Sequence, residues 1–257
     1  MIKGKATEDA EKGAAEIDVL GQTYRLTGFV GAAPVRGIYV DGNEANDTGG
    51  PQGFRVEQPA GAVTEPHFHE TNQFQVFVGG AGWFGKHELK PLTVQYANGH
   101  SPYGPVVAGP EGLDYFTLRA RWDPGAKYMP RSRDRLIKGN QRQRLVTGIW
   151  TETAEELKRR FGVDFELFLD AEGDGLAGFI GRFGPGGAAV VPCVPKSGGQ
   201  YWVVVGGSMV LDGKVYPRLS CLFASADQPL TSVAADADGL ELLVLQFPEK
   251  NLAGLAA

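Results

Sequence analysis

The sequence predicts an all-β fold made of two copies of one module, and three observations carry that prediction. Short runs such as FQVFV, LTVQY, YFTLR, YWVVV, LSCLF and LLVLQF are rich in β-branched and aromatic residues and are bounded by Gly, Pro, Asn or Asp. The 37 glycines and 16 prolines are spread between these runs, which marks turns, and 42% hydrophobic content leaves enough apolar surface for a core. Finally, Asn72–Arg119 lies on Gly199–Gln246 without a gap at a constant offset of 127. Gln73 falls on Gln200, Val76 on Val203, Gly79-Gly80 on Gly206-Gly207, Leu92 on Leu219, Pro102 on Pro229 and Leu118 on Leu245.

Taken in order, residues 1–125 form the first module, 126–160 a basic linker and 161–257 the second module. The first module holds FQVFV, LTVQY and YFTLR; the second holds YWVVV, LSCLF and LLVLQF. Leading into the linker, RARWDPGAKYMPRSRDRLIKGNQRQR (119–144) reads as a solvated or packing arm, or as a source of arginines for an anionic substrate or a subunit contact. TAEELKRRFG is the one convincing helix, with Thr153 and Glu156 as a capping box and Gly162 as its stop.

A net charge of −5 gives no reason to expect nucleic acid or an anionic membrane as partner. No apolar run approaches 18 residues, and the polar N-terminus MIKGKATEDAEKGAAE lacks the apolar core of a secretory signal. Cys193 and Cys221 have no metal-like spacing, so a cytoplasmic protein with reduced thiols is expected.

Three of the four histidines draw attention. His67 and His69 are two apart in a strand-like stretch and aim into one space, as paired metal ligands would. His100 ends LTVQYANGH and can return to that space, whereas His87 in GKHELKP reads as a surface residue. At offset 127 the three fall on Val194, Lys196 and Asp227, and the second module has no histidine. One site per chain, in the first module, is therefore expected.

Here the sequence resembles the cupin superfamily. Gly61, His67, His69, Gln73 and Gly79 or Gly80 take the places of the motif G-x5-H-x-H-x3,4-E-x6-G, while only His100 matches the second motif, whose proline and glycine fall on Gln95 and Ala97. With the repeat, the resemblance implies a bicupin: two tandem jelly-roll barrels joined by a short helix. It also implies His67, His69 and His100 as ligands of one divalent metal, Fe(II) first, with Mn, Ni, Cu or Zn as alternatives. Cupins commonly dimerise through sheet edges, so a homodimer is expected.

Gln73 stands where the family has glutamate. A neutral amide leaves the metal charge uncompensated, which favours an anionic organic ligand, and it cannot act as a base at pH 7. It is open as a weak ligand, as a hydrogen-bond partner of bound water or substrate, or as packing, since Gln200 repeats it. Of the two faces of DYFTLRARW, one carries Tyr115, Thr117, Arg119 and Arg121; if that face lines the barrel, Arg119 can anchor a carboxylate. Tyr96, Tyr103, Phe77 and Trp83 are further candidate lining residues. The resulting expectation is a metal-dependent dioxygenase acting with O2 on a small anionic substrate. A non-redox lyase, hydrolase or isomerase, and a ligand-binding cupin without catalysis, are the alternatives.

Overall fold

The computed structural model describes residues 1–40, 49–139, 141–169 and 173–249. Position 140 of the expected linker and the end of the expected second module, 250–257, lie outside them. The chain is nearly all β and divides into two compact units, Gly13–Ile149 and Met1–Lys12 with Trp150–Lys250.

The spine of the first unit is the antiparallel pair Gln73–Phe84 and Val106–Arg119. Thr93–Ala97 and Gln143–Val146 extend it on one side; Gln52–Gln58, Gln22–Val30 and Ala15–Val19 extend it on the other. Alternation sets the faces. Gln73, Gln75 and Phe77 pair with Arg119, Thr117 and Tyr115, while Phe74 and Val76 pair with Leu118 and Phe116 on the opposite face. Phe77 and Tyr115 join Tyr24, Leu26, Phe54 and Val56 in the core on the first of these faces.

The second unit repeats this spine with Ser197–Leu211 and Ser232–Pro248, and its register reproduces the offset, with Gln200 opposite Gln246 where Gln73 stands opposite Arg119. The repeated glycine pairs have a steric cause. A Cβ on Gly80 (φ +70°) would stand 2.3 Å from the Gly112 carbonyl oxygen, and one on Gly207 (φ +59°) 2.0 Å from that of Gly239. Both mark a register shift where the long strand bends.

The helix Ala154–Arg159 forms with the Thr153–Glu156 capping box. A second helix, Thr7–Glu11, carried no sequence signal because only Ala10 is buried in five residues and no period can show. Two segments lie elsewhere than chain order suggests. Ile2–Lys5, at the start of the expected first module, pairs with Cys221–Ala224 in the second unit. The basic stretch contributes Lys127–Tyr128, paired with His67–Phe68, and Gln143–Val146, paired with Thr93–Ala97. Strand partners are chosen by distant residues, and local composition does not encode them. No helix among the described residues is long and apolar enough to cross a membrane.

Candidate functional site

The site lies in the first unit, in a cavity of about 80 Å³. The strand His67–Phe68 sends His67 inward, with two backbone hydrogen bonds of 3.0 Å exchanged between His67 and Tyr103. The two imidazoles meet edge-on, with ring centroids 5.2 Å apart, and His67 lies 4.6 Å from the Tyr103 ring. His67 Nδ1 is 2.7 Å from the Glu65 carbonyl oxygen and donates to it. His69 Nδ1 is 2.6 Å from Asp123 Oδ1, and Asp123 also accepts from the Glu70 (2.7 Å) and Gly125 (2.9 Å) amides. Arg119 Nη2 lies against the ring, 3.2 Å from Nδ1 and 3.0 Å from Nε2; with Nδ1–H given to Asp123, Nε2 is the ring's acceptor.

Arg119, at 3% exposure, is the buried cation of the site. Its Nε donates to Gln73 Oε1 at 3.1 Å and its Nη1 to Gln52 Oε1 at 2.5 Å, with the Phe54 ring 5.4 Å away. Gln73 in turn donates to the Tyr103 hydroxyl. Burial first, then the neighbouring His69, lowers the His67 pKa to about 3; burial and then Arg119 lower that of His69 to about 4. Both imidazoles are therefore neutral at pH 7. Burial works to raise Asp123, but His69 and Arg119 outweigh it and hold the carboxylate well below its usual range. Burial pushes the Tyr103 phenol up.

The structure brings together His67, His69, Gln73, Tyr103 and Arg119, and leaves out four other expected residues. His100 is carried away from the cavity by a left-handed backbone (φ +56°), with its N–H on the His69 carbonyl at 2.7 Å and its Nδ1 accepting from the Ile137 amide at 3.3 Å. Its ring packs 5.4 Å from Phe68, which points to the side of the strand opposite His67. Tyr103 is the residue that stands opposite His67. Phe77 is core, 5.2 Å from Tyr115, and Tyr96 sits on the outer face against Phe74 and donates to Asn98 Oδ1 at 2.7 Å. Trp83 is half exposed, and His87 and Arg121 are exposed. Tyr115, Thr117 and Arg119 do line the cavity. Sequence reasoning missed Asp123, which reads as a turn residue in WDPG, and Gln52, which belongs to a distant strand.

These residues do not fit a three-histidine metal. No group of three His, Cys, Asp or Glu among the described residues is arranged to hold one. His69 Nδ1 is held by Asp123, and Arg119 Nη2 stands against the imidazole, 3.2 Å from Nδ1 and 3.0 Å from Nε2. A divalent ion about 4 Å from the guanidinium would meet a repulsion on the order of 8 kcal/mol at an effective dielectric of 20. Gln73, the expected modulator of metal charge, instead braces Arg119.

No known family profile matches the chain, and no curated protein matches it. Solved structures do. A "putative dioxygenase" from Nostoc punctiforme PCC 73102 aligns at TM-score 0.64 with 10% identity, over 100% of this chain and 85% of that one. A bacterial pirin from Escherichia coli in complex with nickel(II) aligns at 0.57 with 13% identity, over 97% and 100%. A Bacillus subtilis oxalate decarboxylase, a protein with Mn(II) centres, aligns at 0.57 with 10% identity, over 96% and 77%. At these identities the likeness is one of fold, and the chain has the all-β fold of the bicupins.

Proposed function

We propose that the first barrel binds a small organic anion and moves a proton on it. The observation that carries this reading is the buried Arg119 guanidinium set against His69, whose other nitrogen is held by the buried Asp123. An entering carboxylate or enolisable oxo-anion takes up the guanidinium's hydrogen bonds bidentately and draws Nη2 off His69. Nε2 then accepts a proton from the carbon beside the carbonyl. The C–H bond breaks, an N–H bond forms, and the electron pair moves to the oxygen of that carbonyl, which shares the guanidinium's N–H groups with the carboxylate. Asp123 stabilises the imidazolium that results. The apolar wall of Val19, Leu26, Phe54 and Val56 keeps the site dry.

Exchange of the methyl protons of pyruvate in D2O, followed by proton NMR, tests this. Exchange by the wild type and its loss in Arg119→Gln are expected. Exchange no faster than buffer, with pyruvate bound, would leave a ligand-binding barrel without catalysis.

A second reading is metal-dependent, with Fe(II) and O2 as in a dioxygenase. The nickel and manganese held by the fold neighbours favour it, as does the anchoring of both histidines through Nδ1, which leaves their Nε2 atoms on the cavity side. It requires Arg119 to leave His69 and Gln73 or Tyr103 to supply a further ligand. Elemental analysis of the purified protein decides between the two readings.

A further inference from the structure

The anion-binding reading leaves a polar group in the cavity without a task. Gln75, at 3% exposure, lines the cavity, and its Oε1 has no hydrogen-bond partner. Gln95, its cross-strand neighbour at 1% exposure, has neither amide atom partnered. Buried amides left unmade cost stability, and the unpartnered Gln75 oxygen beside the cavity points to a group that completes it. The register places that group. Thr117 is opposite Gln75 and Arg119 opposite Gln73, so Gln75 and Arg119 are diagonal neighbours on one face, about 7–8 Å apart at the backbone. A ligand that reaches both carries its anionic end and a hydrogen-bonding end a few bonds apart. The cavity of about 80 Å³ has room for roughly five water-sized places at about 15 Å³ each, the scale of a small acid.

We infer that the ligand is a short hydroxycarboxylate, with its carboxylate on Arg119 and its hydroxyl on Gln75. A hydroxyl both donates and accepts, so it satisfies Gln75 whichever way the amide is turned. The inference rests on the anion-binding reading and adds the second end of the ligand.

The test is calorimetric titration with 3-hydroxypropionate against propionate, which differ by that hydroxyl alone. The wild type is expected to bind 3-hydroxypropionate about tenfold more tightly, the scale of one net hydrogen bond. Gln75→Met, or Gln75→Leu as a second apolar replacement, is expected to bring the ratio close to one. Removing an unpartnered buried oxygen should also leave the melting temperature equal or higher, which separates lost recognition from lost folding. Equal affinities in the wild type, as an ordered water on Gln75 would give, overturn the inference. So does discrimination that survives in Gln75→Met. If neither acid binds, the anion-binding reading falls too; if both bind equally, only the role of Gln75 falls.

Discussion

Lowering the pH from 7 to 5 is expected to destabilise the protein steeply, because His67 and His69 are buried and neutral. Their folded pKa values, about 3 and about 4, lie below the usual 6.5. The unfolded chain therefore takes up protons that the folded chain refuses. The stability these groups contribute is present above pH 6.5 and is lost as the pH falls towards 4 and 3. At pH 5 each histidine accounts for a loss of about 2 kcal/mol, from 1.36 kcal/mol per unit over about 1.5 units, or about 4 kcal/mol together. Asp123 acts lower: its depressed pKa adds stability above the usual carboxylate range, lost only as the pH falls below that range. Urea unfolding at pH 7, 6 and 5, followed by circular dichroism, measures the loss. The His67→Gln/His69→Gln variant should lose most of that slope. A wild-type stability that is level between pH 7 and 5, or a slope the variant keeps, would refute the burial of two neutral imidazoles.

Other changes have equally direct outcomes. Asp123→Asn should keep anion binding, since Arg119 is untouched, but slow proton exchange on pyruvate about 100-fold through loss of the His69 tautomer and its imidazolium partner; unchanged exchange would remove His69 as the base. Gly80→Ala should destabilise the first barrel by roughly 2–3 kcal/mol, because a Cβ meets the Gly112 oxygen at 2.3 Å and φ is +70°. Chemical denaturation checks it, and a neutral result would show that the bend does not need glycine. Arg119→Gln should weaken propionate binding at least 100-fold by removing the charge-assisted pair, as read by calorimetry.

Much of this was legible in the sequence because the signals were local or repeated. The offset of 127 foretold the paired spines, and its glycines coincide with the bends that require them. The spacing of His67 and His69 foretold a shared space, and the strand face of Tyr115, Thr117 and Arg119 was correctly one of two alternatives. The third corner of the site was not legible. Matching by residue type selected His100, whereas the register of the loop after Ala97 delivers Tyr103, three residues on. Asp123 and the strand Ile2–Lys5 depend on contacts with residues far along the chain, which no local pattern announces. Gln73 accepts from the Arg119 guanidinium, a partner that no local pattern announces.

The proposal that an internal cation takes the place of a metal is tested by one preparation. Metal content by elemental analysis and propionate affinity by calorimetry are measured on the same purified protein, before and after dialysis against a chelator. The expected result is substoichiometric metal and an affinity that the chelator leaves unchanged and Arg119→Gln abolishes. One metal ion per chain, with binding that disappears on chelation, would contradict it.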